Sequence, residues 1–122
     1  IENKIPLTKA VKQWGNVGAL VAGFYEEDVE LIGRSMCDEV AEPARTKFIP
    51  GFYEMKSAVL EAGAVGFGIS GSGPSVFAFC KGKEEAIHIG EIIRRQFLNQ
   101  KIISDVFVSP INKEGAKVLS VF

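Results

Sequence analysis

Apolar residues recur through the first quarter of the chain at helical spacing. Leu7, Val11, Trp14, Val21 and Tyr25 fall near one stripe, with Ala10, Val17 and Phe24 beside it. This pattern predicts a helix over 7–25, with Thr8 as its N-cap. Gly15, Gly18 and Gly23 each weaken such a helix by about 1 kcal/mol relative to alanine, and their small size suits close approach by another element. A second helix is expected over 27–40, with Val29, Ile32, Met36 and Val40 on one face and acids in its first turn. Pro43 is expected to end it, because the residue before a proline is pushed out of the helical region. Residues 41–50, AEPARTKFIP, read as a proline-bounded loop.

A third helix is predicted over 51–62, with Phe52, Met55, Val59 and Leu60 inward and Gly63 at its left-handed C-terminal cap. Ala64–Ile69 and Val76–Cys80 read as short apolar strands. A fourth helix over 84–99 places Ile89, Ile92, Ile93 and Phe97 on its apolar side. Ile102–Val108 alternates in part and reads as a strand, and Ala116–Val121 as a last one. The two strands around the glycine loop suit a hairpin, and the helix after them returns the chain to a third strand. The expected fold class is α+β: a sandwich with a mainly antiparallel sheet and helices packed on one face. No internal repeat or low-complexity linker divides the chain, so one domain over 1–122 is expected.

Composition narrows the function classes. A hydrophobic fraction of 47% with 24% charged residues suits a water-soluble globular core. The net charge of −1 gives no electrostatic case for nucleic acid or an acidic membrane surface. No apolar run approaches the ~18 residues of a membrane-spanning helix. Cys37 and Cys80 share no metal-type spacing and are expected as reduced thiols of a cytoplasmic protein. The first residue is Ile1 rather than Met, which suggests a piece of a longer protein.

The densest chemical signal is the run Gly66-Phe67-Gly68-Ile69-Ser70-Gly71-Ser72-Gly73-Pro74-Ser75. Such a loop exposes several N–H groups to one point, which suits an anion or a second backbone segment; it also suits a plain strand connection. The run satisfies G-x-G-x-x-G, but a dinucleotide site needs a helix directly after it, and here Pro74 and the strand-like SVFAF follow. No Gly-Lys-Ser/Thr follows either, so a Walker loop is absent. Arg45, in the proline-bounded loop, suits bidentate carboxylate binding, but by residue type alone a surface arginine or a local ion pair with Glu42 is the commoner case. Asp38, Glu39 and Glu42 read as a solvated helix end rather than a metal site. His88 reads as a half-exposed helix residue, and no serine has an identifiable histidine partner. Trp14 and the nine phenylalanines read as core.

Taken together, four segments resemble one family. They are Glu42-Pro43-Ala44-Arg45, Ile49-Pro50-Gly51-Phe52, Glu61-Ala62-Gly63-Ala64 and Gly68-Ile69-Ser70-Gly71-Ser72-Gly73-Pro74. This set resembles the homoserine kinases, a branch of the GHMP small-molecule kinases, over about residues 15–120. The glycine loop is similar to the third motif of that superfamily. The resemblance implies a ferredoxin-like C-terminal domain, with the ATP-binding N-terminal domain absent from this chain. It implies transfer of the γ-phosphoryl group of ATP to the hydroxyl of L-homoserine, a step of threonine biosynthesis.

By the same resemblance Arg45 matches the arginine that binds the substrate carboxylate. Ser70, Gly71, Ser72, Gly73 and Pro74 match the loop that backs the phosphate-binding loop. ATP and Mg²⁺ would be held mainly by the N-terminal domain, and a homodimer is implied. No catalytic and no metal-ligating residue is expected here, so the 122 residues alone are expected to be inactive. Ala44 stands where relatives often carry an aromatic residue, which affects packing beside Arg45. Two alternatives stay open: a freestanding ferredoxin-like module that binds an amino acid, and the C-terminal domain of another GHMP kinase.

Overall fold

The computed structural model describes residues 3–122; Ile1 and Glu2, the start of the expected domain span, lie outside the described residues. The chain runs α1 (Leu7–Glu26), α2 (Val29–Ser35), α3 (Ala41–Arg45), a 3-10 turn (Thr46–Phe48), α4 (Phe52–Glu61), β1 (Gly66–Ile69), β2 (Val76–Phe79) and α5 (Lys83–Asn99). β1 and β2 form an antiparallel hairpin in which Gly66 faces Phe79 and Ile69 faces Val76. The α+β class and the hairpin are as the sequence led one to expect.

Side chains alternate across the pleat, so the two faces of the hairpin differ. Phe67, Ile69, Val76 and Ala78 pack into the core formed with Ile49, Phe52, Met55 and Val59 around α4, and Ile89 and Phe97 of α5. The opposite face carries Gly66 and Gly68 on β1 and Phe77 and Phe79 on β2. There Phe24 of α1 meets Phe79 edge to face, with ring centroids 5.7 Å apart. Met36 lies directly over Gly66, where a β-carbon would collide with its sulfur.

The helix boundaries follow local chemistry. α2 starts where Asp28 accepts a hydrogen bond from the Leu31 N–H at 2.9 Å. α4 ends in a Schellman motif: the Ala64 N–H bonds to the Val59 carbonyl at 2.9 Å and the Gly63 N–H to that of Leu60 at 3.1 Å. Gly63 adopts φ 103°, which only glycine tolerates readily.

Several expectations give way. α2 stops at Ser35, not 40, because the chain turns at Met36 and the next segment is held by other contacts. Pro43 does not end that helix; it sits in the first turn of α3, where its missing N–H costs nothing. The expected 41–50 loop is therefore mostly α3 and the 3-10 turn. The N-cap of α1 is Pro6, without a side-chain cap bond, rather than Thr8. Of the three glycines of α1, only Gly23 takes a close neighbour, Ile32 of α2; nothing lies near Gly15 or Gly18.

The apolar stripe of α1 stays open: Trp14 is 65% exposed and Tyr25 86%. Trp14 is thus not core, and neither are Phe24, Phe48, Phe77, Phe107 and Phe122, nor is Leu60 inward. α1 packs chiefly on α2, and no described element covers the rest of its stripe. The strands expected at 102–108 and 116–121 are not formed. Residues 102–109 instead line the far wall of a cleft of about 510 Å³, with β2 on the near wall and α5 as its floor. They pair with no strand; Val106 packs instead against Gly90 of α5.

Candidate functional site

α3 has five residues, too few to be stable by itself. External groups hold it at each end. At its start Asp38 folds back over the helix entrance. Asp38 Oδ1 accepts from the N–H groups of Val40 and Ala41, both at 2.8 Å, and Oδ2 from that of Glu42 at 3.0 Å. Three otherwise orphaned donors are satisfied by one carboxylate. α1 clamps both neighbours of Asp38: the Asn16 amide donates to the Cys37 carbonyl, and the Gln13 side-chain oxygen accepts from the Glu39 N–H, each at 2.8 Å. Lys12 adds an ion pair to Glu39 at 2.5 Å. The hydrogen bond from Lys12 is the main cause that holds the Glu39 carboxyl below its ordinary value.

The middle of α3 is tied to α4. Glu42 is buried, and Lys56 Nζ lies 2.7 Å and 2.9 Å from its two carboxylate oxygens. The ion pair of Glu42 is therefore with Lys56; the local pair with Arg45 that the sequence allowed is not made.

Arg45, the last residue of α3, points to the glycine loop instead. Its Nη1 donates to the Ser72 carbonyl at 3.2 Å, across 27 positions of sequence. The loop Ser70–Ser75 is a tight connection closed by the Ser70 N–H to Ser75 carbonyl bond, 2.8 Å, and the Gly73 N–H to Ser70 carbonyl bond, 3.1 Å. Gly71 and Gly73 take φ of 60° and 78°, and the Gly73–Pro74 peptide bond is cis. Ile49, 2% exposed, packs beneath Gly73, where a β-carbon would stand 3.2 Å from its terminal methyl. The two segments singled out in the sequence thus form one surface.

Two features give this surface chemical capacity. A guanidinium has five N–H donors, and among the described residues Arg45 makes a single bond, so its Nε–Nη2 edge is free to take a planar carboxylate. The N–H groups of Gly71 and Ser72 have no protein acceptor among the described residues, which leaves them available to an oxygen-rich group. The loop enters β2 and not a helix, so the G-x-G-x-x-G pattern has no dinucleotide context.

The remaining candidates play other parts. His88 is exposed on α5, beside Glu91, which pairs with Arg94 and Arg95. Cys37 and Cys80 are both free. No group of three His, Cys, Asp or Glu is placed to hold a metal among the described residues. Among the described residues no helix is long and apolar enough to cross a membrane.

Sequence reasoning passed over Gln13, Asn16 and Lys56, and placed Asp38 at a solvated helix end. Gln13 and Asn16 did carry a signal: two amides three positions apart share one helix face. Their partners, Cys37 and Glu39, were not legible, because backbone acceptors and donors leave no mark in a sequence.

The family model described as "GHMP kinases C terminal" matches residues 20–99. The chain is 53% identical over 117 residues to a homoserine kinase of Chlorobium phaeobacteroides (strain BS1), covering 94% of this chain and 37% of that protein. It is 36% identical over 117 residues to a homoserine kinase of Pyrococcus abyssi, covering 96% of this chain and 38% of that one. Among solved structures, a homoserine kinase from Cytophaga hutchinsonii superposes with a TM-score of 0.90 at 51% identity, over 94% of this chain and 36% of that one. The chain spans little more than a third of the length of these relatives.

Proposed function

The chain belongs to the GHMP kinase C-terminal family, and from that premise we propose that it is the substrate-binding part of a homoserine kinase. The complete enzyme transfers the γ-phosphoryl group of ATP to the hydroxyl of L-homoserine and yields O-phospho-L-homoserine, a cytoplasmic step toward threonine. The likeness to homoserine kinases at 53% and 51% identity supports this choice within the family.

One observation carries the reading of the site: Arg45 is tied to the glycine loop through the Ser72 carbonyl while its outer edge stays open. In this reading that edge receives the substrate carboxylate as a bidentate pair. Ser70, Gly71, Ser72, Gly73 and Pro74 back the phosphate-binding loop of an N-terminal ATP-binding domain, to which they offer fixed backbone dipoles. Phosphoryl transfer depends mainly on positioning and charge stabilisation, so a rigid carboxylate anchor is a direct contribution to rate. The described residues offer no acidic cluster for Mg²⁺, and no step through that ion is assigned to them. Its ligands, and the groups that act on the homoserine hydroxyl, belong to the N-terminal domain, so the 122 residues alone turn over no ATP.

The test is Arg45→Ala in the longer enzyme. The expected result is a rise in homoserine KM of at least about tenfold with little change in ATP KM, as loss of a charge-assisted pair predicts. A homoserine KM equal to wild type overturns the assignment of Arg45.

A further inference from the structure

Arg45 sits at the end of a helix too short to hold its own direction, so something must aim it. The hydrogen bonds identify the group. Asp38 takes the Val40, Ala41 and Glu42 N–H groups with both of its oxygens, and so fixes the first turn of α3 in orientation as well as in position. Asp38 is itself held from outside: the residues on either side of it are bonded to Asn16 and Gln13 of α1. The five-residue helix is thus a lever seated on α1 at one end and resting on the Ser72 carbonyl at the other.

We propose that Asp38 is the positioning residue for Arg45: by capping α3 it sets the direction from which the guanidinium meets its anionic ligand. Asp38 touches no reacting atom and acts on the site through Arg45, alongside the Glu42–Lys56 pair that ties the middle of α3 to α4. The inference deepens the reading above and rests on it for the identity of the ligand, but not for the bracing itself. A capping carboxylate restrains a helix end and leaves the groups beyond Arg45 untouched. Its loss is therefore read at the substrate carboxylate and not at the nucleotide.

The experiment compares Asp38→Ala, Asp38→Asn and Arg45→Ala in the longer enzyme, by steady-state kinetics and limited trypsin digestion. In Asp38→Ala the homoserine KM is expected to rise about tenfold while the ATP KM stays within about twofold, the scale of one lost charged cap. Asp38→Asn keeps one acceptor oxygen and recovers part of that loss. Trypsin then cuts after Arg45 readily in Asp38→Ala, because the uncapped helix frays, while Arg94 and Arg95 within α5 stay as resistant as in wild type. Equal damage to both KM values and to kcat, or wild-type resistance at Arg45, overturns the proposal. A wild-type homoserine KM in Arg45→Ala overturns the substrate reading instead, and the cleavage after Arg45 then decides the bracing by itself.

Discussion

Lys56 reaches from α4 to place its ammonium between the two carboxylate oxygens of Glu42, 2.7 Å and 2.9 Å away. The Glu42 side chain is only 9% exposed and that of Lys56 21%, so water does little to screen the pair. The two halves are unequal in what their loss leaves behind. Lys56→Met strands a carboxylate in a nearly dry site and should destabilise the fold on the order of 2–3 kcal/mol. Glu42→Gln keeps an acceptor for the ammonium and should cost about half as much. Urea denaturation of the two variants checks the order; an equal or reversed effect sinks the argument.

Two glycines in neighbouring helices should respond to alanine with opposite signs. At Gly33 a β-carbon would stand 2.5 Å from the Val65 carbonyl oxygen, and backbone cannot easily yield. Gly33→Ala should cost about 1–3 kcal/mol, the range for overpacking. Gly15 has nothing within 4 Å, so Gly15→Ala should stabilise α1 in the 122-residue chain by about 0.5–1 kcal/mol through backbone entropy alone. Thermal denaturation of both variants is the measurement, and a shared sign would contradict the packing described.

Glu91 supplies a pH signature. Hydrogen bonds from Arg94 and then Arg95 lower its carboxyl from 4.5 to about 2. A depressed native value stabilises the fold fully above the unfolded value, and that contribution is lost as the pH falls from about 4.5 toward about 2. The stability difference between wild type and Glu91→Gln should therefore be constant near neutrality and shrink across that window. A difference that persists unchanged at pH 2, or that appears only above neutrality, would show that Glu91 does not titrate in this way.

Much of this was legible in the linear order of residues. Ile89, Ile92, Ile93 and Phe97 mark α5 because helical spacing puts them on one side, and burial of Ile89 and Phe97 follows. Gly63 marks the end of α4 because its positive φ is a local demand met by a local residue. The glycine run and Arg45 could be singled out by residue type alone. The miss at 102–108 has a physical cause: alternation announces a segment suited to pairing, but a partner edge must also lie within hydrogen-bond reach. The stripe of α1 fails for the matching reason, since periodicity marks an apolar face without saying what covers it.

The sequence by itself determined helices α1, α2, α4 and α5 and the hairpin around the glycine loop, and it marked Arg45 and that loop as the candidate site. These depend on contacts between near neighbours and on the conformational limits of glycine and proline. Only the tertiary structure decided that Arg45 turns to Ser72 and away from Glu42, that Glu42 belongs to Lys56, and that Asp38 caps the helix between them. Those choices are made by backbone groups and by side chains far apart along the chain. They become neighbours when the core around Phe52 and Phe67 closes and brings α3, α4 and the glycine loop to one edge.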